Sequence, residues 1–174
     1  MLPQLSPGRR EWRINNMESL ATQELKIREV RTDDVTAISE IEQISFEDPF
    51  PTYFLSQLAD ANPHTFLVAV VRDKIVGYAV IDKWPEQEHL VSIAVIPESR
   101  RKGVGQALLD HLIEKMQTGR LRLEVRRSNK TALELYRKNG FIQIGVAHNY
   151  YTDGEDAIQM EKLIETKQQI LATI

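Results

Sequence analysis

A short glycine-containing segment carries the first residues of this chain that could do chemistry. It runs as RRKGVG from Arg100 to Gly105 and follows an apolar stretch that Pro97 ends. Apolar side chains then recur at helical spacing as far as Met116, so the segment leads into a helix. Glycines at a helix start let a ligand approach the backbone, and the unpaired N–H groups there attract anions. The segment therefore predicts a binding site for a phosphate or pyrophosphate group.

Three motifs could build such a site. A dinucleotide-binding fold would need a third glycine where this chain has Leu108, and its ribose-binding acidic residue has no clear counterpart. A P-loop would need G-x-x-x-x-G-K-[ST], which the chain does not contain. The third motif, R-x-x-G-x-G, is present as Arg100, Gly103 and Gly105. On its own it is also compatible with a plain helix start beside a solvated basic cluster.

A carboxylate on a strand is the second candidate. Residues Arg120 to Arg126 alternate apolar and charged side chains, as a strand does when one of its faces is buried. Glu124 belongs to the charged face, where it could act as a general base. It could also simply form an ion pair with Arg122 or Arg126.

The composition limits the classes of protein to consider. The 174 residues suggest one domain with a core large enough to fold alone. A formal net charge of -3 argues mildly against a protein that mainly binds nucleic-acid phosphates. The absence of cysteine excludes disulfides, thiolate metal sites and a cysteine nucleophile, and it fits an intracellular, cytoplasmic protein. No apolar run is long enough to cross a bilayer, and the first residues lack the apolar core of a signal peptide.

Hydrophobic periodicity predicts a mixed α/β domain. Strand and helix patterns follow the order β-α-α-β-β-β-α-β-α-β-β, which indicates a mixed sheet with helices packed on it. These patterns extend over residues 23–163. Residues 1–22 show little periodicity and are expected to form a mobile extension. Residues 164–174 carry apolar side chains at helical spacing and could form a helical tail.

Three segments of the chain occur in the same order in a known family. They are VSIAVIPESRRKG from Val91 to Gly103, LEVRRSNKTALELYRKNGF from Leu123 to Phe141, and HNYYTDGEDAIQM from His148 to Met160. On these segments the chain resembles the GNAT N-acetyltransferases, and among them the bacterial, archaeal and eukaryotic enzymes that acetylate protein N-termini. The resemblance covers about residues 24 to 163. It implies the GNAT fold, a mostly antiparallel sheet of about six to seven strands flanked by about four helices.

The resemblance implies direct transfer of an acetyl group from acetyl-CoA to a free amine in a ternary complex. An α-amino group has a pKa of about 7.7–8.0, so a weak base is sufficient. Glu124 matches the acidic residue that the family uses as the base, and His89 could assist or replace it. Tyr136 matches the family's tyrosine beside the CoA sulfur, where a phenol could protonate the leaving thiolate. The plainer alternatives are a solvated strand-end histidine for His89 and a packed aromatic residue for Tyr136.

The same resemblance implies a set of cofactor-binding residues. The strand before Pro97 would offer its backbone to the pantetheine arm, and the Val95 N–H would donate to the oxyanion. Asn129 would contact the cofactor, although an asparagine there can also simply cap a helix. The full set is Ile93, Ala94, Val95, Arg100, Arg101, Lys102, Gly103, Val104, Gly105, Gln106, Asn129, Tyr136 and Lys138.

Aromatic residues on two loops are expected to hold the acceptor. In the family these loops grip a peptide N-terminus, whereas loop aromatics in general are often only packed. The residues concerned are Phe46, Phe50, Tyr53, Tyr150 and Tyr151. The histidines other than His89 have no metal-ligand spacing, so no metal site is expected.

The leading hypothesis is a protein N-terminal α-acetyltransferase that acts on protein or peptide N-termini as a monomer or weak homodimer. A ribosomal-protein substrate and an auxiliary subunit stay open. A GNAT enzyme for lysine or small amines is the alternative, and the YY…DGEDA segment argues against it because it should narrow the acceptor channel. A non-catalytic acyl-CoA-binding regulatory module is a third hypothesis, against which the presence of Glu124 and Tyr136 speaks. Nucleic-acid and membrane partners are not expected, because residues 100–102 are one short basic cluster in an acidic chain.

Overall fold

Seven strands and four α-helices occupy residues 25–165, the part of the chain that the computed structural model describes. The strands are β1 (Leu25–Glu29), β2 (Phe66–Val71), β3 (Lys74–Lys83), β4 (Glu88–Val95), β5 (Arg120–Arg126), β6 (Ile142–Ala147) and β7 (Ala157–Leu163). The helices are α1 (Val35–Ser45), α2 (Thr52–Ala61), α3 (Val104–Lys115) and α4 (Lys130–Lys138). The predicted order of elements and the mixed α/β fold are confirmed. The extension predicted over residues 1–22 and the tail from residue 166 onward lie outside the described residues.

All the strands join one sheet in the order β1-β2-β3-β4-β5-β7-β6. Neighbouring strands are antiparallel except β4 and β5, which run parallel. The β2–β3 connection is a two-residue turn of Arg72 and Asp73, with positive φ angles of 48° and 62°. Two consecutive positive φ angles match the type I′ turn, whose twist suits an antiparallel hairpin.

Helices cover both faces of the sheet. Consecutive residues of β2 alternate between two core clusters, with Leu67 in one and Phe66 in the other, because strand side chains alternate between faces. Leu108 of α3 and Leu133 of α4 belong to the first cluster, and Ile38 of α1 belongs to the second. The sheet is therefore the middle layer of three, and its central strands are held from both sides. Within residues 25–165 no helix combines the length and apolarity needed to cross a membrane.

Candidate active site

The two central strands separate along their length and open a cleft in the sheet. β4 and β5 pair at Glu88 with Leu121 and at His89 with Arg122, and their register ends there. A cavity of about 350 Å³ lies between the separated parts of the two strands. Its walls also include α4, the loop of residues 46–51 after α1, and the loop of residues 148–156 between β6 and β7. We call these two loops the first and second acceptor loops.

A bulge in β4 lies beside this cavity. Val80 of β3 pairs with Ser92, whereas the next residue, Ile81, pairs with Leu90. Val91 is therefore the extra residue of a β-bulge. Bulges bend a strand and increase its twist, so this one contributes to the separation of β4 from β5.

His89 and Glu124 meet at the point where the strands separate. Nε2 of His89 lies 2.6 Å from Oε2 of Glu124, and the two side chains are only 18% and 20% exposed. The hydrogen bond to His89 lowers the pKa of Glu124, and this effect outweighs burial, which acts in the opposite direction. Neither Arg122 nor Arg126 forms an ion pair with Glu124; among the described residues both pair with other carboxylates. The predicted base and its predicted assistant thus form one hydrogen-bonded pair, with Glu124 held as a carboxylate.

Trp84 packs on this pair, a contact that sequence reasoning missed. Its ring stacks on His89 with ring centroids 5.1 Å apart and an angle of 17° between the planes. The indole Nε1–H donates to Asp82 at 3.2 Å, which fixes the ring over the imidazole. The imidazole is therefore held between an indole face and the Glu124 carboxylate. A tryptophan in the short β3–β4 connection was the only signal available in the sequence.

The backbone of β4 divides its hydrogen-bonding groups between β3 and the cleft. The Ile96 N–H donates to β3 at 2.9 Å, and backbone groups of successive strand residues point to opposite sides. The groups of Val95 and Ile93 therefore face the cleft, and the Val95 carbonyl indeed accepts from Arg100 Nε at 2.8 Å. The Ala94 carbonyl faces β3, where it lies 2.8 Å from the position that a Cβ on Gly77 would take. The backbone groups of Ile93 and Val95 are therefore placed for the predicted cofactor contacts, whereas those of Ala94 face β3.

The glycine-containing segment forms the start of α3, next to the end of β4. Gly103 is the N-cap residue in a left-handed conformation, with φ of 81°, and no side chain caps the helix. A Cβ at Gly103 would meet no atom within 4 Å, and a Cβ at Gly105 would lie 4.0 Å from Val95. The exposed cations Arg101 and Lys102 precede this helix start. Uncapped N–H groups beside open space and basic side chains fit a pyrophosphate.

Three other predicted cofactor residues take part in contacts within the protein or lie apart from the cleft. Gln106 exchanges two hydrogen bonds with Asn139, of 2.7 and 2.9 Å, so its amide joins α3 to the end of α4. The side chain of Val104 is buried in the core. Lys138 is exposed at the last residue of α4 and does not line the cavity. Any contact of Val104 with an anion would therefore come from its backbone N–H.

Asn129 and Tyr136 both line the cavity on the α4 side. Asn129 also caps α4, since its side chain accepts from the Ala132 N–H at 3.1 Å. Tyr136 is buried, and its ring packs edge-on against Phe141 with centroids 5.5 Å apart. Burial, with a further contribution from Tyr151, raises the pKa of Tyr136 well above its usual value. The raised pKa keeps its hydroxyl protonated, and the hydroxyl has no hydrogen-bond partner within residues 25–165, so it is available to a ligand.

Four of the five predicted acceptor-binding aromatics line the cavity: Phe46, Phe50, Tyr150 and Tyr151. The fifth, Tyr53, is 69% exposed and does not line it. Tyr53 lies in the first turn of α2. The rings of Tyr150 and Tyr151 meet edge-on with centroids 5.1 Å apart.

Arg126 joins the two acceptor loops, and sequence reasoning had considered it only as a partner of Glu124. Its guanidinium donates to Asp153 and Glu155 of the second loop at 2.8 Å, and to Asp48 of the first loop at 3.3 Å. The same guanidinium lies 3.9 Å from the centre of the Tyr151 ring. Asp48 also accepts from the Thr152 hydroxyl at 2.6 Å. We call this set of contacts the Arg126 clasp; it closes one side of the cavity.

A buried carboxyl group, Glu42, forms another part of the wall that sequence reasoning missed. It accepts from the Phe50 N–H at 2.9 Å and from the Tyr78 hydroxyl. The available sequence signal was a glutamate next to Ile41 on the apolar face of α1. Among residues 25–165, no group of three or more His, Cys, Asp or Glu side chains could hold a metal ion.

The chain matches known proteins along most of its length. Residues 35–141 match the model of the acetyltransferase (GNAT) family. An N-alpha-acetyltransferase of Sulfurisphaera tokodaii is 35% identical over 159 residues, which cover 82% of this chain and 95% of that protein. The crystal structure of Ard1 from Thermoplasma volcanium is 29% identical with a TM-score of 0.79, covering 82% of this chain and 99% of that one. The crystal structure of the ribosomal-protein-S18-alanine N-acetyltransferase from Escherichia coli is 33% identical with a TM-score of 0.72. The match covers 82% of this chain and 95% of that one.

Proposed function

The chain belongs to the acetyltransferase (GNAT) family, and from this premise we propose that it transfers the acetyl group of acetyl-CoA to the α-amino group of protein N-termini. The family gives the enzyme class, an acetyl-CoA-dependent N-acetyltransferase. The N-terminal acceptor is the proposed part. Relatives named for N-terminal acetylation support it, and so does the acceptor side of the cavity.

The observation that carries the proposal is the Arg126 clasp. It holds the two acceptor loops against each other and places aromatic rings of both loops along the cavity wall. An N-terminal residue has a peptide backbone directly beside its amine, which such walls can grip by hydrogen bonds. A lysine side chain is a slim four-carbon arm without these groups. A site built to hydrogen-bond a substrate group discriminates strongly against one that lacks it.

The electrostatics of Glu124 also suit an α-amine. A carboxylate with a lowered pKa is a weak base, so it serves best an amine that is already partly neutral. At pH 7 roughly a tenth of an α-amine with a pKa of about 8 is neutral, against roughly one in two thousand for lysine at about 10.4. A weak base therefore favours the N-terminus over lysine, because a much larger fraction of the α-amine is already neutral and needs no base to remove its first proton.

Acetyl-CoA, when bound, supplies a thioester that is activated toward attack by an amine. The first turn of α3 would hold its pyrophosphate, and the backbone groups of Ile93 and Val95 would hold its pantetheine arm. Glu124, oriented by His89, accepts the proton that the amine gives up, directly or through water. The Val95 N–H can donate to a carbonyl oxygen in the cleft. Burial raises the pKa of Tyr136, so its hydroxyl stays protonated and can donate a hydrogen bond to a departing sulfur.

The test compares two peptides that differ only in where the free amine lies. One has a free N-terminus and no lysine, and the other has a blocked N-terminus and one internal lysine. Mass spectrometry after incubation with acetyl-CoA should find acetylation of the first peptide and little of the second. Equal rates would assign the chain to general amine acetylation and end the N-terminal proposal. A reaction without the protein serves as the control for non-enzymatic transfer.

We include ribosomal proteins among the proposed substrates, because the similar Escherichia coli enzyme is named for ribosomal protein S18. A peptide with the N-terminal sequence of a ribosomal protein belongs in the same assay. The proposed assembly is a monomer or weak homodimer, and an auxiliary subunit is a further proposed partner. Activity of the purified chain alone and its mass by light scattering test this part.

A further inference from the structure

Glu42 is an acidic residue that the proposed chemistry does not use, although it lies in the cavity wall. It is 1% exposed, and no lysine, arginine or histidine of the described residues forms an ion pair with it. Burial raises the pKa of its carboxyl group. Burying a carboxyl group without a cation costs desolvation free energy, and an apolar residue at this position would avoid that cost. Its contacts indicate what it contributes instead.

The Glu42 side chain links three parts of the cavity wall. Oε1 accepts from the Phe50 N–H at 2.9 Å, which fixes the first acceptor loop to the last turns of α1. Oε2 accepts from the hydroxyl of Tyr78, a fully buried residue of β3. That hydroxyl lies 2.8 Å from the Ser92 hydroxyl of β4. A chain of hydrogen bonds thus runs from the acceptor loop through the core to the strand that carries the proposed cofactor contacts.

The two ends of this series of hydrogen bonds, at Phe50 and at Ser92, border different parts of the site. Phe50 is an acceptor-side residue of the cavity, and its ring packs on Phe54 with centroids 4.9 Å apart. Ser92 follows the bulge at Val91 and precedes Ile93, whose backbone faces the cleft. Within residues 25–165, Glu42 is the only acceptor for the Phe50 N–H. Removing the carboxyl group would therefore release the Phe50 end of the first acceptor loop, while Asp48 stays held by Arg126 and β4 stays paired with β3.

We propose that Glu42 is a positioning residue for the acceptor, which holds the Phe50 segment at a fixed distance from β4 through Tyr78 and Ser92. The inference rests on the proposed function, because it takes the cavity side at Phe50 to be the acceptor side. Glu42 acts here through its hydrogen bonds and not as the base, since Glu124 and His89 occupy that position. Its loss should affect the binding of the peptide and leave the binding of acetyl-CoA unchanged.

The test measures KM for a peptide N-terminus and for acetyl-CoA in three variants. Glu42→Ala should raise the peptide KM about tenfold, the effect of losing one hydrogen bond to a charged or buried group, with an unchanged acetyl-CoA KM. Glu42→Gln should restore most of the peptide KM, because its amide oxygen can accept from Phe50 and its NH₂ can donate to Tyr78. Tyr78→Phe keeps the ring and removes the link, so it should raise the peptide KM by a smaller factor. If Glu42→Ala does not fold, Tyr78→Phe still tests the link, because an unchanged peptide KM in this variant would contradict the proposal.

Asp34→Asn is the matched control, because it changes a buried carboxyl group at the other end of α1 that does not line the cavity. It should lower the melting temperature and leave the peptide KM unchanged. The proposal is overturned if Glu42→Ala leaves the peptide KM unchanged, or if it raises the KM values of both substrates equally. A wild-type protein that acetylates no peptide N-terminus would instead overturn the proposed function. The two failures are therefore distinguishable in one set of assays.

Discussion

His89 Nε2 and Glu124 Oε2 lie 2.6 Å apart, and the strands that carry them separate directly beyond His89. The pair therefore lies at the closed end of the cleft, with a cavity on the side where the strands diverge. The hydrogen bond lowers the pKa of Glu124, so the carboxylate persists to more acidic pH than that of an isolated glutamate. The contact therefore favours a carboxylate beside the cavity.

Glu124→Gln tests the base itself. The substitution keeps the shape of the side chain and removes its basicity. We expect kcat to fall on the order of 10²-fold or more if Glu124 is the only base, and less if His89 shares the task. Steady-state kinetics from pH 6 to 9 measure this, with acetyl-CoA affinity by calorimetry as the control for folding. Normal turnover across the whole range would exclude Glu124 as the base.

His89→Phe tests the coupling within the pair. The hydrogen bond to His89 is the largest cause that lowers the pKa of Glu124, whereas burial raises it. Removing the imidazole should therefore move the pKa of Glu124 upward, toward or above the usual value of about 4.3. An NMR titration of the Glu124 carboxyl carbon in both proteins measures the shift. A pKa that stays the same or falls would show that His89 does not control the charge of Glu124.

The same pair contributes to stability with a defined sign. A carboxyl group with a lowered folded pKa adds stability above its unfolded pKa, and that stability is lost as the pH falls through the folded pKa. The free energy of unfolding of wild type should therefore fall more steeply than that of His89→Phe as the pH drops below about 5. Denaturant unfolding of both proteins over this pH range measures the difference.

The fold could be predicted from the sequence because each element carries its own periodicity. The alternation in residues 120–126 and the helical spacing after Gly103 are local patterns, and the structure has a strand and a helix at those places. The His89–Glu124 contact joins residues 35 positions apart on neighbouring strands, so only the family resemblance suggested both. Composition and local spacing do not predict contacts between residues that are distant in the sequence.

The rest of the site depends on where loops and strands meet. Arg126 joins two loops that are about a hundred residues apart in the chain, and its partners follow from tertiary packing. The backbone groups of Ala94 face β3, because the side of β4 that pairs with β3 is set by the register, which the sequence does not state. Tyr53 is largely exposed in the first turn of α2 and does not line the cavity, a placement that depends on how α2 packs and not on the residue type.

Gly105→Ala tests the predicted pyrophosphate site with little disturbance of the protein. The added Cβ would lie 3.8 Å from Leu135 and 4.0 Å from Val95, both ordinary contacts. Alanine also favours a helix over glycine by roughly 0.5–1 kcal/mol, so the melting temperature should hold or rise. Binding of acetyl-CoA should weaken at least tenfold if the backbone of Gly105 lies against phosphate oxygens. Calorimetry measures the affinity, and an unchanged Kd would remove the helix start from the binding site.

Gly103 is a poorer position for the same test. Its φ of 81° belongs to the left-handed region, so any side chain there costs about 1–2 kcal/mol in backbone strain. A loss of affinity in a Gly103 variant would combine strain with lost ligand contacts. A Gly105 variant carries no such backbone strain, so its loss of affinity would report the lost ligand contacts alone.

Tyr150→Phe and Tyr151→Phe should differ, because the two phenols have different surroundings. Tyr150 lines the same cavity as Glu124; burial raises its pKa, with a further contribution from the charge of Glu124. The Tyr151 ring lies against Arg126, and burial raises its pKa to about 12. Removing the Tyr150 hydroxyl should raise the peptide KM severalfold, as expected for the loss of one hydrogen bond. Removing the Tyr151 hydroxyl leaves the ring under Arg126 in place, so its effect should be small.

Tyr151→Leu then supplies the contrast within the Arg126 clasp. It removes the aromatic ring, and with it a cation–π contact of about 0.5–1 kcal/mol at a partly exposed site. The second acceptor loop should loosen, so the peptide KM should rise in Tyr151→Leu although it changes little in Tyr151→Phe. The acetyl-CoA KM should stay constant in all three variants, because both tyrosines belong to the acceptor side. If Tyr150→Phe leaves the peptide KM unchanged while Tyr151→Phe raises it, the assignment of the acceptor hydrogen bond to Tyr150 is wrong.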